Sequence, residues 1–182
     1  MSFEEKIINT NRIYEGNITN YVVKEVELPN GEKASREVVE HGDAVGILAL
    51  TDDKKAVFVK QYRTPIEHEM YEIPAGLIDE NESPLVAAKR ELEEETGYQA
   101  AEWQKMTSFY TSAGFSNEFM TVYVAENLTK VETPLAQDDD EFIEVYELSY
   151  EEATDLYLKN EMPDSKTVVA MLYWQLRQNV GE

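Results

Sequence analysis

The chain has 182 residues, 42% of them apolar, with 37 Asp plus Glu against 16 Lys plus Arg, a formal net charge of −21, and no cysteine. That length and apolar share support a globular body and exclude a fibrous or wholly disordered chain. The acidity disfavours generic binding to nucleic acid or an anionic membrane. The missing thiols exclude disulfides, thiolate metal sites and cysteine nucleophiles.

Met1 to Asn9 is acidic and amphipathic rather than leader-like. No apolar run approaches the roughly 20 residues that span a bilayer. A soluble, cytoplasmic protein with no membrane partner is expected. Residues 1–43 read as a separate β-region, with a hairpin of Tyr21–Leu28 and Ala34–Glu40 around the turn Pro29-Asn30-Gly31. A hairpin that small needs a larger support.

The main body, residues 44–182, opens with strands at Ala44–Leu50 and Ala56–Tyr62. The Pro/Gly-bearing stretch Glu72-Ile73-Pro74-Ala75-Gly76 then leads to a helix over Pro84–Thr96. Ser83 is its N-cap, Pro84 suits the first turn, and Gly97 fits a left-handed C-terminal cap. Strands follow at Glu102–Tyr110, Phe119–Ala125 and Phe142–Leu148, and helices at Glu151–Leu158 and Lys166–Gln178. In the last helix Val168, Val169, Leu172 and Leu176 form the apolar stripe. Strands interrupted by isolated helices, without regular alternation, predict an α/β or α+β sandwich.

The helix at Pro84–Thr96 carries the chemistry. At 100° per residue, Leu85, Ala88 and Leu92 share a face that should meet the sheet, and Glu91 and Glu95 lie one turn apart on its flank. Lys89 can reach Glu93 and Arg90 can reach Glu94, which leaves Glu91 and Glu95 without a local basic partner. Like charges one turn apart cost roughly 0.2–0.5 kcal/mol per pair, and acids in the last turns face the negative dipole end at roughly 0.3–1 kcal/mol each, together about 1–3 kcal/mol. A hard divalent cation would offset this, with room left beside Ala87 and Ala88 for the ion and its waters. From the carboxylates alone, a metal site and a solvated acidic face both fit.

The wider pattern favours the metal. Gly76, Glu82 and the run Arg90-Glu91-Leu92-Glu93-Glu94-Glu95-Thr96-Gly97-Tyr98 resemble the Nudix box, G-x5-E-x7-R-E-U-x-E-E-x-G-U, with Tyr98 where a bulky aliphatic residue is usual. Gln61-Tyr62-Arg63, Glu72 to Gly76, Gly114-Phe115-Ser116-Asn117-Glu118, Glu141-Phe142-Ile143-Glu144-Val145 and Ser35-Arg36-Glu37 are similar to the ADP-ribose pyrophosphatase branch of that superfamily. Ala113 stands where that branch usually carries a proline.

The resemblance implies an α/β/α sandwich with a mixed sheet, plus the small N-terminal β-region, in a homodimer whose N-terminal region crosses to the partner. It implies Mg²⁺ (Mn²⁺ as the alternative ion) held by Glu91, Glu95, Glu94 and the carbonyl of Ala75. Glu82 has a supporting place and Arg90 organises the carboxylates. Glu94, Glu95 and Glu141 are the implied catalytic residues, with Glu141, at the end of the acidic run Asp138-Asp139-Asp140-Glu141, as the candidate general base; a solvated loop is the plain alternative for that run. Arg63 is a candidate phosphate clamp, and Arg36, Glu37, Glu72 and Glu118 are candidate substrate contacts. Tyr14, a candidate for stacking on a base, is more ordinarily a packing residue.

The implied reaction is hydrolysis of ADP-ribose to AMP and ribose 5-phosphate. A nucleotide sugar or dinucleotide substrate, or a non-hydrolysing nucleotide sensor, are the alternatives. The chain has no G-x-S-x-G, H-E-x-x-H, P-loop or dinucleotide glycine motif. The acidic run fails as an EF-hand because Phe142 stands at a ligand position and the loop glycine is missing.

Overall fold

The computed structural model describes residues 2–137 and 141–180; Asp138, Asp139 and Asp140 of the acidic run lie outside the described residues. The chain divides into two units, Met1–Asp43 with Phe109–Phe119, and Ala44–Ser108 with Met120–Glu182.

The first unit holds an antiparallel sheet of three strands, β1 (Lys6–Glu15), β2 (Thr19–Glu27) and β3 (Lys33–His41), with β2 in the centre. The expected hairpin is β2–β3, in register from Thr19↔His41 to Glu27↔Lys33. β1 was not expected. Every residue in it is exposed, so it lacks the apolar alternation that marks a half-buried strand. The loop Gly114–Glu118 joins this unit: the Val39 N–H donates to the Phe115 carbonyl at 2.8 Å and the His41 N–H to Asn117 Oδ1 at 2.9 Å.

The second unit is built on β4 (Ala44–Leu50), whose residues are all buried except the last. A strand apolar on both faces needs cover on both sides. Around it stand β5 (Lys55–Arg63), β6 (His68–Glu72), β7 (Ala75–Leu77), β8 (Tyr98–Tyr110), β9 (Phe119–Lys130) and β10 (Glu144–Ser149), in the order β10-β5-β4-β9-β8, with β6 on β5 and β7 on β4. β4 runs parallel to β9 and antiparallel to β5 and β7, so the sheet is mixed, as expected. One edge of β4 is shared: Ala49 and Leu50 pair with β5, while Ala44 to Gly46 pair with β7. That division brings the Pro74–Leu77 stretch against the middle of the sheet.

Three helices follow, α1 (Pro84–Thr96), α2 (Tyr150–Leu158) and α3 (Ser165–Val180). Val45, Ile47 and Ala49 of β4 pack with Ala87, Ala88 and Leu92 of α1. The intervening Gly46 faces the other way, towards Ile73 and Lys166. On that side Trp174 of α3 meets Phe58 at 6.5 Å and Tyr150 of α2 at 5.1 Å between ring centres. The period-2 alternation of β4 therefore separates α1 from α2 and α3, giving the expected α/β/α sandwich.

Two apolar faces differ from expectation. On α1 the buried residues are Ala87, Ala88, Leu92, Glu95 and Thr96, while Leu85, in the first turn, is 36% exposed. The alanines therefore leave no room for an ion; both pack fully against the sheet. On α3, Leu172 and Leu176 are exposed, and the inward stripe is Lys166, Thr167, Ala170, Met171 and Trp174. A helical period fixes angles between residues of one helix, not which way the helix rolls on its sheet.

α2 begins with a full capping box. Ser149 Oγ accepts from the Glu152 N–H at 3.2 Å and Glu152 Oε2 accepts from the Ser149 N–H at 2.9 Å. Ser149→Ala is expected to lower stability by about 1 kcal/mol in urea unfolding and to leave the folded-state circular dichroism unchanged.

Candidate active site

α1 is fixed at both ends as its caps predict. Ser83 Oγ accepts from the Val86 N–H, and Gly97 at φ +70° donates to the Glu93 carbonyl at 2.9 Å. The roll that buries Ala87 and Ala88 turns Glu95 into the covered face, where it is 2% exposed. Its Oε2 accepts the Ala75 N–H at 3.0 Å. Burial pushes the Glu95 carboxyl up to about 8 against that hydrogen bond, and the charges of Glu91 and Glu141 add to the rise.

Glu91 lies one turn earlier. A Cβ built on Gly76 would overlap its carboxylate, so only glycine admits Glu91 at this point of β7. Burial pushes Glu91 up to about 7; Arg90 opposes the rise, and Glu94 and Glu141 reinforce it. Glu141 is exposed, and its charge acts on both the Glu91 and the Glu95 carboxyls.

Arg90 organises the carboxylates more fully than helical spacing predicts. Its Nη1 donates to Glu91 Oε1 at 2.7 Å and Glu94 Oε2 at 2.9 Å, and its Nη2 to Glu82 Oε2 at 2.9 Å and the Leu77 carbonyl at 3.0 Å. The expectation that Glu91 lacks a local basic partner is therefore corrected: its partner is the adjacent residue. Neighbours in a helix point about 100° apart, and only the long guanidinium arm brings these two together. Arg90 holds Glu82 below the usual carboxylate range. Glu93 turns to Gln99 Nε2 at 2.8 Å and the Leu135 N–H rather than to Lys89.

A second charged group lies at the end of β6. Arg63 Nε and Nη2 donate to Glu72 Oε1 and Oε2 at 2.7 and 2.8 Å, and Lys166 Nζ donates to the same Oε2 at 2.5 Å. Glu72 is 1% exposed; burial alone would raise its pKa, but Arg63 and Lys166 outweigh it and hold the carboxyl below its usual range. Lys166 also meets Asp164 at 3.0 Å. Lys166 and Thr167 are the residues that sequence reasoning missed. Asp164 caps the helix, its carboxylate accepting the Thr167 N–H at 3.0 Å, but nothing local marked Lys166 as inward.

The other candidates lie in the first unit. Arg36 donates through Nε and Nη2 to Glu5 at 2.9 and 2.6 Å, and Glu37 stands beside Tyr21. Glu118 accepts from the Thr111 hydroxyl, and Tyr14 is exposed.

The donor set fits a hard cation. Buried carboxylates with raised proton affinity favour any positive charge that replaces the proton, and the oxygen ligands suit Mg²⁺. Among the described residues no three acidic or imidazole groups are already gathered on one point; Glu94 is engaged by Arg90.

An α/β/α sandwich with a helix-borne carboxylate pair against a glycine-bearing strand sets the architectural class. A model of the NUDIX domain matches residues 40–172. The chain is 46% identical over 177 residues to the ADP-ribose pyrophosphatase of Bacillus subtilis (strain 168), covering 97% of this chain and 96% of that one. It is 45% identical over 176 residues to the methanol dehydrogenase activator of Bacillus methanolicus, covering 97% and 95%. A crystal structure of an ADP compounds hydrolase shares the fold, with a TM-score of 0.86 over 100% of this chain and 98% of that one at 22% identity. The chain belongs to the NUDIX family.

The raised carboxyls give a pH dependence of definite sign. Folded-state values of about 7 and 8 stand above the unfolded value of 4.5, so the stability linked to these protons is full below 4.5 and is lost as pH rises through 7 and 8. In metal-free protein, Glu91→Gln should shift Tm little at pH 5 and raise it relative to wild type at pH 8, as read by calorimetry in chelator.

Proposed function

We propose that this NUDIX enzyme hydrolyses the diphosphate of ADP-ribose, water adding across the P–O–P bridge to give AMP and ribose 5-phosphate. The observation that carries the chemistry is the pair of buried Glu95 and partly buried Glu91, opened by Gly76 and braced by Arg90. The substrate assignment is supported by the near full-length similarity to a pyrophosphatase of that specificity.

Glu91, Glu95 and Glu94, with the carbonyl of Ala75, would hold Mg²⁺, which when bound supplies positive charge to the phosphoryl oxygens and lowers the pKa of bound water. Mn²⁺, equally an oxygen-seeking ion, is the alternative. Arg63 would receive diphosphate oxygens through the N–H groups that Glu72 does not use. Glu141 would take the proton of the attacking water. Arg90 keeps Glu91 and Glu94 in place, and the Ala75 N–H favours the ionised form of Glu95 against the burial that disfavours it.

Arg36, Glu37 and Glu118 would complete the substrate contacts, with Arg36 and Glu37 contributed to a partner subunit. A homodimer is supported by the exposed apolar residues of the first unit, among them Ile7, Ile13, Tyr14 and Ile18. A cysteine-free chain needs no oxidising compartment, which fits the cytoplasm.

The test is release of AMP and ribose 5-phosphate from ADP-ribose with Mg²⁺ and with chelator, beside a nucleotide sugar and a dinucleotide. ADP-ribose should give the highest kcat/KM, with none of the products in chelator. Glu91→Gln should lower kcat by roughly a hundredfold or more with the fold intact by circular dichroism; wild-type turnover in that variant would overturn the assignment. Sedimentation should give twice the 20.9 kDa chain mass; the monomer value would remove the dimer.

A further inference from the structure

The stretch Glu72–Leu77 connects both charged groups of the second unit, and each of its anchors is visible. The Ile73 N–H donates to Thr167 Oγ1 at 3.0 Å, the Pro74 carbonyl accepts from the Ile47 N–H at 2.8 Å, the Ala75 N–H donates to Glu95, and the Leu77 carbonyl accepts from Arg90. Glu72 is held by Arg63 and Lys166. Two of these anchors, Lys166 and Thr167, come from the first turn of α3, and both are buried.

We propose that Lys166 is a positioning residue that acts through Glu72 to hold the guanidinium of Arg63 ready for a diphosphate anion. The proposal rests on the reading of Arg63 as the phosphate clamp and assigns the residue that sets its geometry and charge.

The geometry is specific. Glu72 takes the Nε and Nη2 sides of Arg63 in a two-point fork. A guanidinium has five N–H groups, so three remain, including both on Nη1. Among the described residues none of those three has a hydrogen-bond partner, and the Arg63 side chain is 42% exposed. The fork therefore fixes the plane of the guanidinium and leaves its opposite edge for an anion.

Charge is the second part. A carboxylate shared by Arg63 alone would neutralise the clamp. Lys166 Nζ, 2.5 Å from Oε2, takes part of the Glu72 charge, so more of the Arg63 charge stays available to the ligand. Lys166 is itself held on its far side by Asp164, which caps α3. The order is Asp164, Lys166, Glu72, Arg63, ligand, with alternating sign. Only the last side chain reaches solvent to a large extent.

The experiment is a double-mutant cycle of Lys166→Met and Arg63→Ala. It is read by calorimetric binding of imidodiphosphate in excess Mg²⁺, which needs no turnover and no particular substrate. Lys166→Met should weaken binding about tenfold, Arg63→Ala at least as much, and the double variant no more than Arg63→Ala alone. In ADP-ribose hydrolysis Lys166→Met should raise KM more than it lowers kcat.

Ser149→Ala controls for stability loss, since a general effect would move binding there as well. Should Lys166→Met not fold, Lys166→Gln, which keeps a donor without the charge, takes its place with an expected loss of about threefold. Wild-type affinity in the Lys166 variant, losses that multiply in the double variant, or no imidodiphosphate binding by wild type would each overturn the proposal. A non-additive cycle in a protein that leaves ADP-ribose intact would instead overturn only the substrate assignment.

Discussion

Two carboxylates with little water around them govern this protein. Glu95 stands on the face of α1 that meets the sheet and Glu91 at the edge of that face, and burial lifts both towards neutral pH. A polar pair placed there costs stability unless other groups answer it. The chain supplies three answers: the Ala75 N–H on Glu95, the Arg90 guanidinium on Glu91, and a glycine where any larger residue would collide. Charge is left partly unbalanced by design of the packing, and an added cation would complete it.

The second consequence is mechanical. β7 is only three residues long and pairs with one half of the β4 edge. So short a strand could not hold its place alone. It is fixed by α1 on one side, through Glu95 and Arg90, while Glu72 and Ile73 just before it are held by the first turn of α3 on the other, through Lys166 and Thr167. The sheet thus serves as the plane through which helices on opposite faces act on one segment.

Net charge raises a further problem, since a chain at −21 repels an anionic ligand. The structure concentrates its answer locally. Arg63, Arg90 and Lys166 each sit among carboxylates within hydrogen-bond reach, so their charges are oriented rather than diffuse. Of the three, Arg63 keeps an exposed edge with unused donors, while Arg90 is engaged on both nitrogens of its fork and Lys166 is buried.

The sequence alone determined the features that depend on near neighbours in the chain. Ser83, Pro84 and Gly97 set the limits of α1, the continuous apolar run at Ala44–Leu50 set the central strand, and the spacing of Glu91 and Glu95 set them one turn apart. The family pattern in Gly76 to Tyr98 was likewise readable, because those residues act within one loop and one helix. What only the tertiary structure decided was the roll of each helix on the sheet. That roll buries Ala87 in place of Leu85, and turns Lys166 and Thr167 inward while Leu172 and Leu176 face out. The solvent-bathed β1 strand escaped for a related reason: its pairing with β2 leaves no apolar alternation in its own residues. Periodicity records angles within an element, whereas the free energy of packing between elements chooses which angle faces the core.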